Sequence, residues 1–223
     1  MKNHGRTTLF IGITLLSFLL LGGCATPSKT YLLNFNYKPT DVQPFLTLAD
    51  KPVTVALYQF QDVRPDRLNL GRRTYPDGTA DFYKPDAGSV EQVVTKSLVM
   101  LLEKAGFKVV TVNQYLDPQK QDFKDVPGDV AFGGKIEKLW VEAKKTGYLY
   151  TNTDAQVQLA VSWGLAKEGT WIYKMIEGSG KETKRPWYQP ENAEDMVNEV
   201  FKDSMDKLLK DEASLREKLL KGK

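Results

Sequence analysis

The sequence predicts an α+β fold, a two-layer sandwich in which two helices cover one face of a mixed β-sheet. A strand, a helix and a strand follow one another between residues 53 and 112, which predicts a β-α-β unit with a right-handed crossover. Three segments after residue 129 alternate apolar and polar residues, which is typical of an antiparallel meander. Two stretches carry apolar residues at helical spacing.

The first strands lie at residues 31–35 and 53–60. The second of them is apolar on both faces, which predicts an interior strand of the sheet. One face carries Val53, Val55 and Leu57, and the other carries Ala56, Tyr58 and Phe60.

Residues 61–88 are rich in turn-forming types and predict a long irregular segment. A loop of this length is uncommon in a compact domain, and such loops often carry function or move. The clearest helix follows. Ser89 and Gln92 form a capping-box pattern at its start, and Gly106 is placed to end it. Residues 107–112 then predict the strand that completes the β-α-β unit.

The meander comprises strands at 130–137, 155–166 and 170–177, with a tight turn at Glu168-Gly169. Pro190 suits the first turn of the second helix. These patterns place the α+β domain at residues 51–210 and a charged helical extension at 211–223.

Cys24 is the only cysteine in the chain and follows a short signal-like segment. Lys2 and Arg6 precede a mostly apolar run over 9–21, which is too short to span a bilayer. The string Leu21-Gly22-Gly23-Cys24 resembles the lipobox of bacterial lipoproteins. The resemblance implies cleavage between Gly23 and Cys24, a diacylglyceryl group on the sulfur and an acyl chain such as palmitate on the new amine. Residues 1–23 are then a cleaved signal, and residues 24–50 are the lipidated cysteine and its tether. An ordinary secretory signal that contains a cysteine is the alternative.

Two or more acyl chains anchor a protein stably without any spanning helix. Ala25 stands at the position where Asp favours inner-membrane retention in Gram-negative bacteria. We therefore expect the protein on the periplasmic face of the outer membrane. Residues 25–30 form a tether that reaches about 20 Å when fully extended.

The composition excludes several classes of chemistry. His4, the only histidine, lies in the signal, so the chain after residue 23 has no histidine and no unmodified cysteine. No Ser-His-Asp or Cys-His nucleophile and no zinc, copper or haem site with such ligands can form. We expect no cofactor, no metal and no enzymatic activity, although carboxylate-pair glycosidases and Ser-Lys hydrolases need no histidine. Removal of Lys2 and Arg6 lowers the formal charge from +3 to +1, so no nucleic-acid binding is expected.

Arginine is concentrated in one segment. Of the six arginines after residue 23, four lie between residues 64 and 73. Guanidinium groups bind carboxylates or phosphates with a planar pair of donors. One interpretation is a loop that docks an anionic envelope partner; the alternative is a set of structural ion pairs. The candidate partner-binding residues are Asp62, Arg64, Asp66, Arg67, Arg72 and Arg73.

A glycine-rich string and a set of aromatic residues stand out in the second half of the chain. Gly178-Ser179-Gly180 predicts a loop or bulge, since it lacks the other residues of a phosphate-binding loop. The second half is rich in aromatic residues, which belong to the core or line a groove for a glycan or lipid. They are Tyr148, Tyr150, Trp163, Trp171, Tyr173, Trp187 and Tyr188.

Three short motifs resemble the YajG-type family of bacterial lipoproteins. They are the run from Asp62 to Arg67 followed by Leu70-Gly71-Arg72-Arg73, the run from Leu102 to Val109, and Glu137-Lys138-Leu139. The resemblance covers roughly residues 50–209 and implies an envelope lipoprotein without supplying a reaction. Our leading hypothesis is a non-enzymatic accessory or scaffold in an envelope assembly, held in the membrane by Cys24. The alternative is a module that binds a lipid, a glycan or a peptidoglycan fragment.

Overall fold

A computed structural model describes residues 27–39, 45, 52–209 and 216–218. Within these ranges, nine strands form one mixed sheet, and two long helices pack against one of its faces. This confirms the predicted α+β class. Residues 1–26, with Gly23 and Cys24, and most of the predicted extension over 211–223 lie outside the described residues.

The elements have the following bounds. The strands are β1 Thr30–Leu33, β2 Thr54–Gln59, β3 Gln61–Asp62, β4 Gly71–Thr74, β5 Ala80–Pro85, β6 Lys108–Tyr115, β7 Val130–Thr146, β8 Tyr150–Leu165 and β9 Thr170–Pro186. The helices are α1 Val90–Lys104 and α2 Pro190–Lys207, and a single 3-10 turn spans Phe123–Asp125.

The antiparallel meander β7-β8-β9 is the frame of the sheet. Its strands have 17, 16 and 17 residues. At ~3.3 Å per residue each is about 50 Å long. The free edge of β7 is long enough to hold two groups of shorter strands. β2 pairs parallel with residues 130–132 and carries β6, while β4 pairs parallel with residues 141–144 and carries β5 and then β1.

Strand β2 is interior, as predicted, because it lies between β6 and β7. Val55 and Leu57 face the helices, and Ala56 and Tyr58 contact a small second cluster on the opposite face. The sequence pattern put Phe60 with Tyr58, and this was wrong. A register shift between Tyr58 and Gln59 turns Phe60 into the helix-covered core. A bulge of this kind reverses the alternation of side chains.

Helix α1 begins and ends where its sequence indicates. The Ser89 hydroxyl accepts from the Gln92 amide at 3.3 Å, and Gln92 Oε1 accepts from the Ser89 amide at 3.0 Å. Gly106 adopts φ 95°, a conformation that glycine tolerates and that terminates helices. The helix connects the parallel strands β2 and β6, so the β-α-β unit is present.

The segment 61–88 is not one irregular loop. It contains β3, β4 and β5, and β4 and β5 form a hairpin in which Gly78 adopts φ 86°. The prediction of turns was right for Asp77-Gly78 but wrong for Gly71-Arg72-Arg73, which lie in β4. Strands of two to six residues show too little alternation to stand out in a sequence. The pairing of β3 and β4 with β7 depends on residues about 70 positions later in the chain.

Part of the predicted tether belongs to the domain. Strand β1 pairs with β5, and Leu33, Phe35 and Tyr37 are buried in the main core. The ring of Phe35 lies 4.8 Å from that of Phe201 in α2. Among the described residues, neither helix combines the length and the apolar character that crossing a bilayer requires.

Glycines let α2 approach the sheet closely. Gly178 and Gly180 lie within β9, so the predicted loop or bulge was wrong. A Cβ at Gly178 would overlap the Ser204 hydroxyl, and one at Gly180 would lie 2.7 Å from a methyl group of Val200. The Gly-Ser-Gly string therefore reflects contact between helix and strand.

Candidate functional site

The first two candidate residues, Asp62 and Arg64, form a buried ion pair. Arg64 Nε lies 2.9 Å from Asp62 Oδ1, and Arg64 Nη2 lies 2.8 Å from Oδ2. Only 3% of the Arg64 side chain and 4% of the Asp62 side chain is exposed. Arg64 Nη1 also donates to the carbonyls of Asn69 at 2.9 Å and Leu139 at 2.8 Å. The guanidinium thus closes the 62–69 turn and fastens it to β7, and its donors are engaged inside the protein.

Asp66 also serves the turn. Its carboxylate accepts from the amides of Leu68 and Asn69, both at 3.0 Å, and from Asn69 Nδ2 at 2.8 Å. Burial alone raises the pKa of Asp66, but these hydrogen bonds and the charge of Arg64 outweigh burial and lower the pKa below its ordinary value. The carboxylate is therefore held ionised as a turn-stabilising acceptor.

Arg72 forms a surface ion pair with Glu142 on the neighbouring strand. Its Nε lies 2.9 Å from Glu142 Oε2, and 48% of the Arg72 side chain is exposed. Glu142 also accepts from the Trp140 indole at 3.1 Å. Solvent-exposed pairs of this kind contribute little stability, so Arg72 is open to exchange its partner.

Arg73 lies in a row of alternating cationic and aromatic side chains, which we call the cation–aromatic row. Its Cζ is 5.0 Å from the Tyr188 ring centre and 5.2 Å from that of Tyr75. Lys145 Nζ lies 5.7 Å from the Tyr75 ring and 6.0 Å from the Tyr148 ring. The row runs from buried Tyr188 to Tyr148, which is 89% exposed. Such contacts are attractive because the ring face is electron-rich.

Tyr75 is fixed within this row by a second interaction. Its hydroxyl donates to Asp81 Oδ2 at 2.6 Å. Burial and the hydrogen bond to Asp81 raise the pKa of Tyr75 to about 12, against the opposing charge of Arg73. Tyr75 is therefore neutral near pH 7 and acts as a rigid spacer between the two cations.

Arg67 is the candidate that the fold leaves free. It is exposed, and within the described residues its guanidinium makes no ion pair. Glu91 raises the pKa of Tyr115, and the nearby charge of Arg67 acts in the opposite direction. We name the Arg67 patch after this residue and its exposed apolar neighbours, which are Val63, Leu68 and Tyr115.

The aromatic residues of the second half do not line a common groove. Trp163 and Tyr188 are buried, and Trp171 packs on Phe123 at 5.0 Å on the face away from the helices. Tyr148, Tyr150 and Trp187, by contrast, are exposed at one end of the meander. The sequence pointed to these three residues among its aromatic candidates but did not predict that they meet at one end, although the turn Gly147-Tyr148-Leu149-Tyr150 is unusually apolar for a hairpin connection.

Two grooves flank α1. One, of about 570 Å³, lies between α1 and strands β2 and β6 and is lined partly by Leu57, Val99, Met100 and Val112. The other, of about 500 Å³, lies between α1 and residues 34–38. In the described part of the chain, no three acidic side chains come together where a metal ion could bind.

No protein-family model matches this sequence, and no curated protein does. Solved structures to which this chain shows similarity include three bacterial proteins. Protein XCC0632 from Xanthomonas campestris is 12% identical over 87% of this chain and 96% of that chain, with a TM-score of 0.43. The PelC dodecamer from Paraburkholderia phytofirmans is 12% identical over 69% and 88%, with a TM-score of 0.36. Lipoprotein GNA1162 from Neisseria meningitidis is 10% identical over 68% and 97%, with a TM-score of 0.37. One of the three is thus a lipoprotein, and the YajG-type resemblance rests on sequence motifs alone.

Proposed function

We propose that this chain is a lipid-anchored protein on the periplasmic face of the outer membrane and acts as a non-enzymatic accessory or scaffold in an envelope assembly. The string Leu21-Gly22-Gly23-Cys24 carries the proposal. The absence of histidine after residue 4 and the engagement of Cys24 by lipid support a role through contacts instead of catalysis.

The short connection between Cys24 and the domain supports anchoring close to the membrane. The Ser28 hydroxyl donates to the Ala80 carbonyl, and the Lys29 amide donates to Asp81 Oδ1 at 2.9 Å. Three residues separate Cys24 from Ser28, and the four steps along the chain between them reach at most about 14 Å when extended. The domain therefore stays near the lipid.

The motifs shared with YajG-type lipoproteins are compatible with this assignment. Asp62 and Arg64 form the buried pair, and a Cβ at Gly71 would collide with the Val141 carbonyl. These motif residues maintain the fold, so the resemblance concerns architecture and envelope location and carries no reaction.

The Arg67 patch is the surface that we propose for the partner. Asp62, Arg64 and Asp66 hold the turn from inside and leave the Arg67 guanidinium free to bind a carboxylate. Leu68, 73% exposed, offers an apolar contact beside it. Arginine and tyrosine are enriched among the residues that contribute most to binding at protein interfaces, and Tyr115 of the same patch is 49% exposed. The expected partner is an envelope protein with an acidic and apolar surface.

Fractionation of cells that produce the Cys24→Ala chain tests the anchor. We expect the protein to leave the outer-membrane fraction and to accumulate as soluble or uncleaved protein. Unchanged fractionation would contradict the lipid anchor.

Photo-crosslinking in cells tests the partner. A photoreactive residue at position 68 should yield a discrete protein adduct. Leu32 is a matched control, because it is also a leucine and is 65% exposed on the edge strand β1. Adducts at both positions, or at neither, would contradict a partner site at the Arg67 patch.

The groove beside α1 favours the alternative, a module that binds a lipid, a glycan or a peptidoglycan fragment. Its volume of about 570 Å³ and its apolar lining suit a small ligand. Native mass spectrometry of the chain purified from membranes would reveal a retained ligand. Retention that is abolished by Val99→Trp, which fills the groove, would favour the module over the scaffold.

A further inference from the structure

We propose that the end of the sheet at the β7–β8 turn docks on the phospholipid surface that holds the anchor, with its aromatic side chains in the headgroup layer. This inference rests on the proposed lipid anchor at Cys24. We call this end the docking tip; it comprises Tyr148, Leu149, Tyr150 and Trp187.

The strand directions place the chain's approach to Cys24 at this same end. β1 runs parallel to β5, so residues before Thr30 continue toward the level of Ala80, which Ser28 contacts. Ala80 pairs with Thr74, and Thr74 pairs with Lys144. Strand β7 ends two residues later, at Thr146. The chain that leads back to Cys24 therefore leaves the sheet beside the β7–β8 turn, and not at the far end of the meander.

The side chains of the docking tip are apolar and exposed. Tyr148 is 89% exposed, Leu149 41%, Tyr150 45% and Trp187 76%. Trp187 adopts φ 52°, an unusual conformation for a residue with a side chain, and lies next to buried Tyr188. The backbone at this point therefore leaves the Trp187 ring outside and directs the Tyr188 ring into the core. Tyr and Trp are the residues enriched where membrane meets water.

Basic side chains surround the tip. They are Lys29, Lys144, Lys145, Lys184 and Arg185, and the acidic groups at this end are Asp77, Asp81, Glu182 and Glu191. Asp81 is buried and accepts from the Tyr75 hydroxyl and the Lys29 amide. Arg185 and Glu182 neutralise each other at 2.8 Å. Lys145 belongs to the cation–aromatic row, where it contacts the rings of Tyr75 and Tyr148. Lysines on this surface favour anionic phospholipid headgroups, and their long stems lie along the apolar tip.

The short chain between Cys24 and Ser28 favours the lipid surface over a protein as the partner of the docking tip. The meander is about 50 Å long at ~3.3 Å per residue, whereas the four steps along the chain from Cys24 to Ser28 reach at most about 14 Å. When acyl chains on Cys24 lie in the bilayer, the tip is held at the headgroups and the opposite end is not. The tip forms a convex turn, which suits insertion into a soft interface.

The test uses the full lipidated chain. Because Cys24 is the only cysteine and its sulfur is acylated, Tyr148→Cys introduces the one free thiol. Glu168→Cys, in the exposed β8–β9 turn, is the matched control at the other end of β8. Each variant is labelled with a polarity-sensitive fluorophore and reconstituted into vesicles of phosphatidylethanolamine and phosphatidylglycerol, with and without a lipid that carries a headgroup quencher. Circular dichroism confirms that both variants fold.

We expect the label at 148 to shift to shorter wavelength and to lose roughly half or more of its emission with the quencher, while the label at 168 is unchanged. Equal quenching at both positions, or quenching at neither in protein that floats with the vesicles, would overturn the docking tip and leave the anchor intact. Protein that does not float would overturn the anchor and the docking tip together. A protein adduct at position 148 in cells without quenching in vesicles would assign the tip to a protein partner and overturn the inference.

Discussion

Replacing Arg64 with methionine is expected to cost about 3–5 kcal/mol of unfolding free energy, because it leaves the Asp62 carboxylate as an uncompensated buried charge. Both Asp62 oxygens accept from the guanidinium, at 2.9 and 2.8 Å, and the pair is almost completely buried. The carbonyls of Asn69 and Leu139 lose their donor in the same variant. Domains are stable by about 5–15 kcal/mol in total, so this single change is a large fraction.

Arg72→Met is the matched control, since it removes the same side chain from the same segment. The Arg72–Glu142 pair is 48% and 29% exposed. Exposed ion pairs contribute about 1 kcal/mol or less. Urea unfolding of the lipidated chain in detergent, followed by tryptophan fluorescence, to which buried Trp163 contributes, measures both variants.

The combination of Asp62→Asn with Arg64→Met separates the cost of the orphan charge from the cost of lost packing. We expect the double variant to be more stable than Arg64→Met alone, because no buried charge remains. Equal losses for the Arg64 and Arg72 variants would refute a structural role for the Asp62–Arg64 pair. A double variant less stable than Arg64→Met alone would refute the orphan-charge explanation.

Two further predictions concern the helix contact and the turn. Gly178→Ala should lower the free energy of unfolding in urea by about 1–3 kcal/mol, because the added methyl meets the Ser204 hydroxyl and the Val200 carbonyl. Adding Ser204→Ala to the same chain should recover part of this loss. Full stability of Gly178→Ala alone would contradict the close contact. The pKa of Asp66 is depressed in the folded state, so its stabilising effect is complete well above its ordinary pKa of 3.8 and is lost as the pH falls through the folded pKa. Between pH 6 and 2, wild type should therefore lose more stability than Asp66→Asn, and parallel urea-stability profiles would contradict the role of Asp66.

Local signals in the sequence predicted the elements whose stability is local. The Ser89–Gln92 cap and Gly106 mark α1, and the alternation over 155–166 marks most of β8. Strands β3 and β4 could not be found this way, because they are only two and four residues long and gain their stability from pairing with β7. Gly71 pairs with Val141 and Gln61 with Lys135, and no local window contains both partners.

The candidate arginines show the same limit. Arg64 and Arg67 are three residues apart and carry the same side chain, yet Arg64 is buried and Arg67 is exposed. The difference comes from the Leu139 carbonyl, which accepts from Arg64 and belongs to a strand 75 residues away. Composition therefore identified the segment as unusual, and only the pairing of β3 with β7 separates the residue that holds the turn from the residue that faces outward.

The register of β7 also fixes how far apart the two proposed surfaces lie. Asp62, beside the Arg67 patch, pairs with Ile136, and the docking tip begins after Thr146. Ten residues of extended strand correspond to about 33 Å. Leu70, at the other end of the turn that carries Arg67, bonds to Val141, five residues before Thr146. A protein partner at the Arg67 patch would therefore be held about 17–33 Å from the headgroups that contact the tip. The crosslink from position 68 and the quenching at position 148 consequently measure separate surfaces, and loss of one should leave the other unchanged.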